Sequence, residues 1–368
     1  MEKTKLKRIN QVLLFCFMII AGMYFGAPFL IPFTFAVFFT TLVLPLSNLL
    51  EKKLKLGRIT TSFISTLVLL LVVGGLFFVL FRQLTVFMND LLAKKNEILG
   101  FVDKVQQQIV ESTGVTLEQQ EAMFKERLSG LLEELQAYIS GVLSDFTDIL
   151  LSFLLMLIYV FFLLINRDKF ADFLMKYVPE KKKKETEKIL AKVKTVANRY
   201  LWGRVQVMLV LAVMYTITFL AYDLEYSALL IVFGVLITVI PYVGPFLSGI
   251  FPVIFMMIFS NSTTEIVSFA IIVLIIQLIE SYVLEPVIIG SEVQQSPLFV
   301  IIAIVLGGMI WGFAGLILFV PIFGVLKIIF DYTPGLKPAG FLIGYERKGS
   351  SESIFEKWRR KIRGISED

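Results

Sequence analysis

The sequence predicts an all-α, polytopic inner-membrane protein with about eight transmembrane segments, some broken or re-entrant, and an extracytoplasmic helical hairpin. Three observations predict it. First, 57% of the 368 residues are hydrophobic and only 18% are charged, with a mean hydropathy of +0.81, far from the soluble average. Second, the basic residues cluster at the ends of apolar runs, where they mark cytoplasmic loops. Third, one long polar insertion has helical periodicity and no proline. The formal net charge of +5 matters less than this placement.

The same composition excludes several classes of function. Histidine is absent, which removes the commonest general base, metal ligand and neutral-pH switch. Cys16 is the single cysteine and lies in an apolar segment, so neither a disulfide framework nor a thiolate metal site is expected. No phosphate-cradling Gly-Lys-Ser motif or nucleophilic triad is present. The chain is therefore read as a non-enzyme with no catalytic residue, metal site or cofactor. Nucleic acid is not expected as a partner, because the lysines flank spans and no recognition fold accompanies them.

Residues 1–82 are expected to hold the N-terminal transmembrane segments. Lys3, Lys5, Lys7 and Arg8 precede the apolar stretch Val12 to Phe25, a pattern like a signal peptide without a convincing cleavage site, read as an uncleaved anchor. Phe29 to Leu46 returns; Pro28 and Pro32 break or kink the helix between. The basic patch Glu51 to Arg58 then faces the side of the N-terminus, and Ile59 to Phe81 is long enough to cross, since a bilayer core needs about 20 apolar residues.

Residues 83–145 form the extracytoplasmic helical hairpin, with ten acidic against five basic residues. Leu84, Met88, Leu91, Ile98, Val102, Val105 and Ile109 trace one apolar stripe, and Leu128, Leu131, Leu132, Leu135 and Tyr138 another. Between them Thr116 reads as an N-cap with Gln119 as its capping-box partner. Residues 146–200 comprise a returning helix and a basic cytoplasmic loop that ends in an amphipathic helix, with eleven basic against five acidic residues over 166–200. Anionic lipid is the expected partner of this loop.

Residues 201–333 form the C-terminal transmembrane core. Arg204 stands at the mouth of the span Val205 to Leu220, where it is expected to snorkel. Tyr226 to Phe259 and Leu298 to Ile329 are both too long for one upright helix at 1.5 Å rise per residue, so each is either a kinked span or a hairpin. With kinked spans the connection from Glu285 to Pro297 lies outside; with hairpins it lies inside. Its lack of Lys or Arg favours outside. Residues 334–368, with eight basic and five acidic residues, form a cytoplasmic tail.

Two passages of this core carry the functional signal. Gln277, Glu280, Tyr282 and Glu285 end an apolar run, and a carboxylate there points to a polar cavity or a subunit interface. Upstream, Pro241, Tyr242, Gly244 and Pro245 interrupt a helix in hydrocarbon, leaving carbonyls that need another helix, water, an ion or a solute. The second passage is Gly307, Gly308, Gly312 and Gly315, followed by Pro321. Gly308-x-x-x-Gly312 reads as a site of close backbone approach; Pro286 and Gly290 are expected to serve packing or gating alongside it.

These residues resemble the AI-2E transporter family, bacterial inner-membrane proteins named after a member proposed to export the signal autoinducer-2. The resemblance covers nearly the full length. The family's Pro-Tyr-hydrophobic-Gly-Pro motif is matched from Pro241 to Pro245; its polar stretch by Glu280, Leu284, Glu285, Pro286 and Gly290; its glycine-rich segment by Gly307, Gly308, Gly312, Gly315 and Pro321. Two departures stand out: Glu280-Ser281 replaces an Asp or Asn pair seen in many relatives, and Ser296 replaces a histidine before the proline. The resemblance implies secondary transport or export of a small hydrophilic, autoinducer-2-like solute, with protons or sodium as the expected coupling ions. The alternatives are a monovalent cation/proton antiporter and a non-transporting membrane scaffold or envelope interaction protein. Expected partners are a small polar solute or monovalent cation, the lipid bilayer and further copies of the chain in a homo-oligomer, with both termini cytoplasmic.

Overall fold

The computed structural model describes residues 2–93, 130, 133–134, 136–260, 262–289, 295–333 and 335–344. Helix dominates: α1 (Glu2–Phe25), α2 (Ala27–Leu54), α3 (Arg58–Ala93), α4 (Phe146–Ile165), α5 (Arg167–Lys176), α6 (Lys183–Ala221), α7 (Ser227–Ile237), α8 (Val243–Phe259), α9 (Thr263–Ile279), a π-helical segment (Glu280–Ile289), α10 (Pro297–Tyr332) and α11 (Lys337–Ile343). Among the described residues six helical runs are long and apolar enough to cross a membrane, and three shorter apolar helices accompany them. The chain is a multi-pass membrane protein. Most of the expected hairpin at 83–145, including Thr116 and Gln119, lies outside the described residues. Its described beginning continues α3 to Ala93.

The N-terminal break falls at Gly26, not at the prolines. Pro28 occupies the first turn of α2, where its missing N–H costs nothing, and α2 runs on through Pro32 and Pro45. Helices α2, α3 and α4 share an apolar core of Ala36, Val43, Leu69, Met156, Val160 and Leu164. At one end charged groups tie them together: Arg167 Nη2 donates to Glu51 Oε2 at 2.6 Å and Arg58 Nη1 to Asp168 Oδ2 at 2.7 Å. Asp168 is exposed, yet the hydrogen bond from Arg58 holds its carboxyl below the ordinary aspartate value.

Helix α6 is the hub, packing against α2, α7, α9, α10 and the π-helical segment. Its buried face carries Val207, Leu211, Tyr215 and Phe219, a repeat of four that keeps one stripe inward. Trp202 donates Nε1 to the Leu42 carbonyl at 3.1 Å, fixing α6 to α2.

Both overlong segments are hairpins. In the first, Tyr226 meets Phe259 and Phe233 meets Phe251, with ring centroids 5.8 and 5.5 Å apart. Those pairings close symmetrically about the turn between Ile237 and Val243, as antiparallel helices require. The second is two helical arms that reverse at Gly312, where φ is 56° and ψ −137°. Residues eight apart on a straight helix would be about 12 Å apart. Instead the Gly307 and Gly315 backbones touch and the rings of Trp311 and Phe319 have centroids 5.3 Å apart.

The hairpins meet α6 at different points along its length. Tyr226, at the base of the first, packs on Phe87 near the far end of α3 and follows directly on the C-terminus of α6. The second lodges Pro321 and Gly324 against Val196, Ala197, Tyr200 and Leu201 near the middle of α6. Glu285, where the connection to Pro297 begins, is paired to Arg204, midway along α6 and just before its apolar half.

Candidate transport site

The first hairpin turns on a strained residue. Val243 N donates to the Pro241 carbonyl at 2.7 Å, closing a three-residue turn centred on Tyr242, whose φ is 63° and ψ −50°. This positive-φ γ-turn is rare and strained for a residue with a Cβ. Tyr242 is exposed, whereas Thr238 and Ile240 before it are buried. A Cβ on Gly244 would overlap the Ile237 carbonyl, so the chain can reverse here only with glycine. Pro245 lies in the first turn of α8, where helices lack N–H partners in any case. The carbonyls expected to be orphaned are partly engaged: Gly244 N donates to Ile240 O at 2.8 Å and Ile240 N to Ile237 O at 3.0 Å.

Beneath this turn lies a buried polar node. Gln277 Nε2, on α9, donates to Tyr215 Oη at 2.8 Å and to Ser248 Oγ at 3.1 Å. Tyr215, on α6, donates to Ser248 Oγ at 3.2 Å, and Ser248 donates onward to the Pro245 carbonyl at 3.2 Å. Gly234 and Gly249 make room: a Cβ at the first would stand 3.4 Å from the Tyr215 ring, and one at the second 3.2 Å from Gln277. The node thus links α6, α8 and α9 to the Pro241–Pro245 turn. Among the described residues, Gln277 Oε1 has no hydrogen-bond partner.

One turn beyond Gln277, where α9 passes into the π-helical segment, stands Glu280. It is 0% exposed, and neither carboxyl oxygen has a partner among the described residues. Such a group in hydrocarbon is costly unless a proton, a cation or a donor reaches it. Glu285, five residues on, accepts from Arg204 Nη1 at 2.7 Å. Arg204 does not snorkel: it is 5% exposed, held inside by that pair. Gly203 allows the approach, since a Cβ there would lie 3.3 Å from Ile289 Cα. Pro286 sits inside the π-helical segment. Pi-helical turns concentrate at functional sites, and proline is accommodated there because the regular i→i−4 ladder is already broken.

The other expected site residues lie elsewhere. Tyr282 is 73% exposed, directed away from the node, and Gly290 falls outside the described residues. Gly307, Gly308, Gly312 and Gly315 form the tip of the second hairpin. The close approach there runs between Gly307 and Gly315; Gly308 faces Leu316, and Gly312 supplies the positive φ. Trp311 donates Nε1 to the Met23 carbonyl at 2.9 Å, tying the tip to α1. Ala303, Ile304, Leu318, Phe319 and Val320 surround it. Pro321 rests on α6. The structure brings the Pro241–Pro245 turn and Gln277 together, with Glu280 adjoining; the glycine tip belongs to a separate apolar cluster.

Sequence reasoning missed Tyr215 and Ser248, each of which reads locally as a residue within an apolar helix. A partial signal existed for Tyr215, which shares the four-residue stripe of Leu211 and Phe219 and is the polar member of it.

Comparison with known proteins agrees with this architecture. The family described as AI-2E family transporter matches residues 13–335. The chain is similar to "Putative transport protein YrrI" of Bacillus subtilis (strain 168), 26% identical over 308 residues, covering 81% of this chain and 85% of that one. It is also similar to "Putative transport protein YueF" of the same organism, 28% identical over 203 residues, 55% of this chain and 54% of the other. A third relative, "Putative transport protein YhhT" of Escherichia coli (strain K12), is 25% identical over 126 residues, 34% of this chain and 36% of the other. With its six long apolar runs and a match that spans nearly the whole sequence, the chain belongs to the AI-2E family of membrane transporters.

Proposed function

We propose that the protein is a secondary transporter that moves a small hydrophilic solute outward across the inner membrane, coupled to a proton or a monovalent cation held at Glu280. The observation that carries this reading is a fully buried carboxyl group with neither oxygen partnered among the described residues. It stands beside a buried amide, phenol and hydroxyl at the foot of a strained helix reversal. An ionisable group in that setting binds its ion in one conformation and releases it in another. Gln277 Oε1, Tyr215 and Ser248 offer hydrogen-bonding groups to a hydroxylated solute. In this reading the basic loop at 166–200 faces the cytoplasm and contacts anionic lipid, and the chain assembles as a homo-oligomer.

The test is gradient-driven flux in reconstituted liposomes, with autoinducer-2 as solute and an imposed proton or sodium gradient. Glu280→Gln should keep fold and assembly while lowering coupled flux at least tenfold, equivalent to about 1.4 kcal/mol. Full gradient-driven flux in that variant would remove Glu280 from the mechanism.

A further inference from the structure

We infer that Arg204 is the exchangeable partner of Glu280, and that Glu285 is its competitor. This deepens the reading above and rests on it. The geometry begins with the helix type. At 3.6 residues per turn, side chains five apart on an α-helix point about 140° from one another. A π-helix closes its hydrogen bonds from i to i+5, which brings residues five apart onto one face. Glu280 and Glu285 are five apart and bound the first half of the π-helical segment. The π register is thus what turns two carboxylates towards one side of α6, and Arg204 stands on that side.

The hydrogen bonds show which pairing is present. Arg204 Nη1 is bonded to Glu285, while Arg204 Nε and Nη2, both buried, have no partner among the described residues, and neither has either oxygen of Glu280. A buried guanidinium with two unused donor nitrogens, bonded to the same π-helical segment that carries a buried carboxyl with two unused acceptors, is the complementary partner for that carboxyl. The charged and titratable groups bearing on Glu280 are Arg204 and Tyr215 from α6 and Glu285 from its own segment; α9 contributes the neutral Gln277. Tyr200, one turn before Arg204 on α6, bears in turn on Arg204 and Glu285.

Two states follow from this arrangement. With Glu280 occupied by a proton or cation, Arg204 serves Glu285, the pairing that the hydrogen bonds contain. When Glu280 releases its ion, its carboxylate takes the free face of Arg204, and the side chain of Glu285, about a third exposed, turns to water. An ion pair is present in both states, so the buried guanidinium is never left without a counter-charge. Arg204 and Glu285 are positioning residues: they set how tightly Glu280 holds its ion, without contacting the solute.

The experiment follows the protonated carboxyl of Glu280 by infrared difference spectroscopy as pH is varied, in full-length protein reconstituted in liposomes. The band is assigned by its loss in Glu280→Gln, and this readout does not depend on transport. In Glu285→Gln the competitor is gone, so Arg204 should hold the Glu280 carboxylate and the midpoint of the band should move down by about one pH unit or more. In the Arg204→Gln, Glu285→Gln double variant the cation is gone as well, so the midpoint should move up. Thermal stability of both variants checks that they fold. Identical midpoints in all three proteins, shifts in the same direction for both variants, or no titrating Glu280 band would each overturn the exchange. Absence of coupled flux in the wild type would instead count against the transport reading and leave the infrared result standing.

Discussion

The two hairpins are built from the same kind of sequence and have opposite characters. Each folds an overlong apolar run at a point rich in proline or glycine, and each depends on a glycine whose Cβ would strike backbone, Gly244 in one and Gly315 in the other. The first places its tip over Tyr215, Ser248 and Gln277, all polar. The second zips its arms through Gly307 and Gly315 and surrounds them with Leu318, Phe319 and Trp311. A broken helix in a membrane therefore has no fixed meaning. What fills the space beside the break decides whether it borders a polar node or an apolar packing contact.

The largest expected effect tests what the hairpins share. Gly244→Ala and Gly315→Ala should each cost about 3 kcal/mol or more, because backbone must move to admit the methyl group. Thermal unfolding in detergent measures it, and near-wild-type stability in both would break the close-approach account.

The next test separates the two tips. Tyr215→Phe removes a hydroxyl bonded to both Gln277 and Ser248, and Trp311→Phe removes the N–H bonded to Met23. Each should cost about 1 kcal/mol of stability. Flux in liposomes should fall several-fold only for Tyr215→Phe; an equal fall for Trp311→Phe would erase the distinction drawn between the tips. A smaller effect of opposite sign is expected at the first tip, where Tyr242→Gly relieves the positive φ at an exposed position. That should raise stability by up to about 1 kcal/mol, read as an increase in melting temperature.

The smallest effect lies away from both hairpins. Arg58 holds the Asp168 carboxyl below the ordinary aspartate value. A lowered folded-state value means that the contribution to stability is present above the ordinary value and is lost as pH falls through the lowered one. Asp168 is exposed, so salt should screen the effect. Asp168→Asn should accordingly leave the melting temperature nearly unchanged at neutral pH in high salt, and differ from wild type only in low salt.

The sequence by itself determined the properties that depend on local composition. Apolar runs of sufficient length located the membrane-spanning helices, and the runs that were too long announced a break at Pro241–Pro245 and at Gly307–Gly315. Gln277 and Glu280 were visible because polar groups stand out in an apolar background. Tertiary structure decided the rest, because the deciding partners are distant in sequence. Whether an overlong run kinks or reverses depends on what its two arms bury against each other, as Phe233 and Phe251 do, and periodicity is the same either way. Arg204 looked like a snorkelling end residue; its burial follows from a carboxylate 81 residues away. Tyr215 and Ser248 became polar anchors only when α6, α8 and α9 converged. The end of the π-helical segment that carries Glu280 and Glu285 likewise packs closely on Gly203 of α6, a contact that no local pattern around residue 280 encodes.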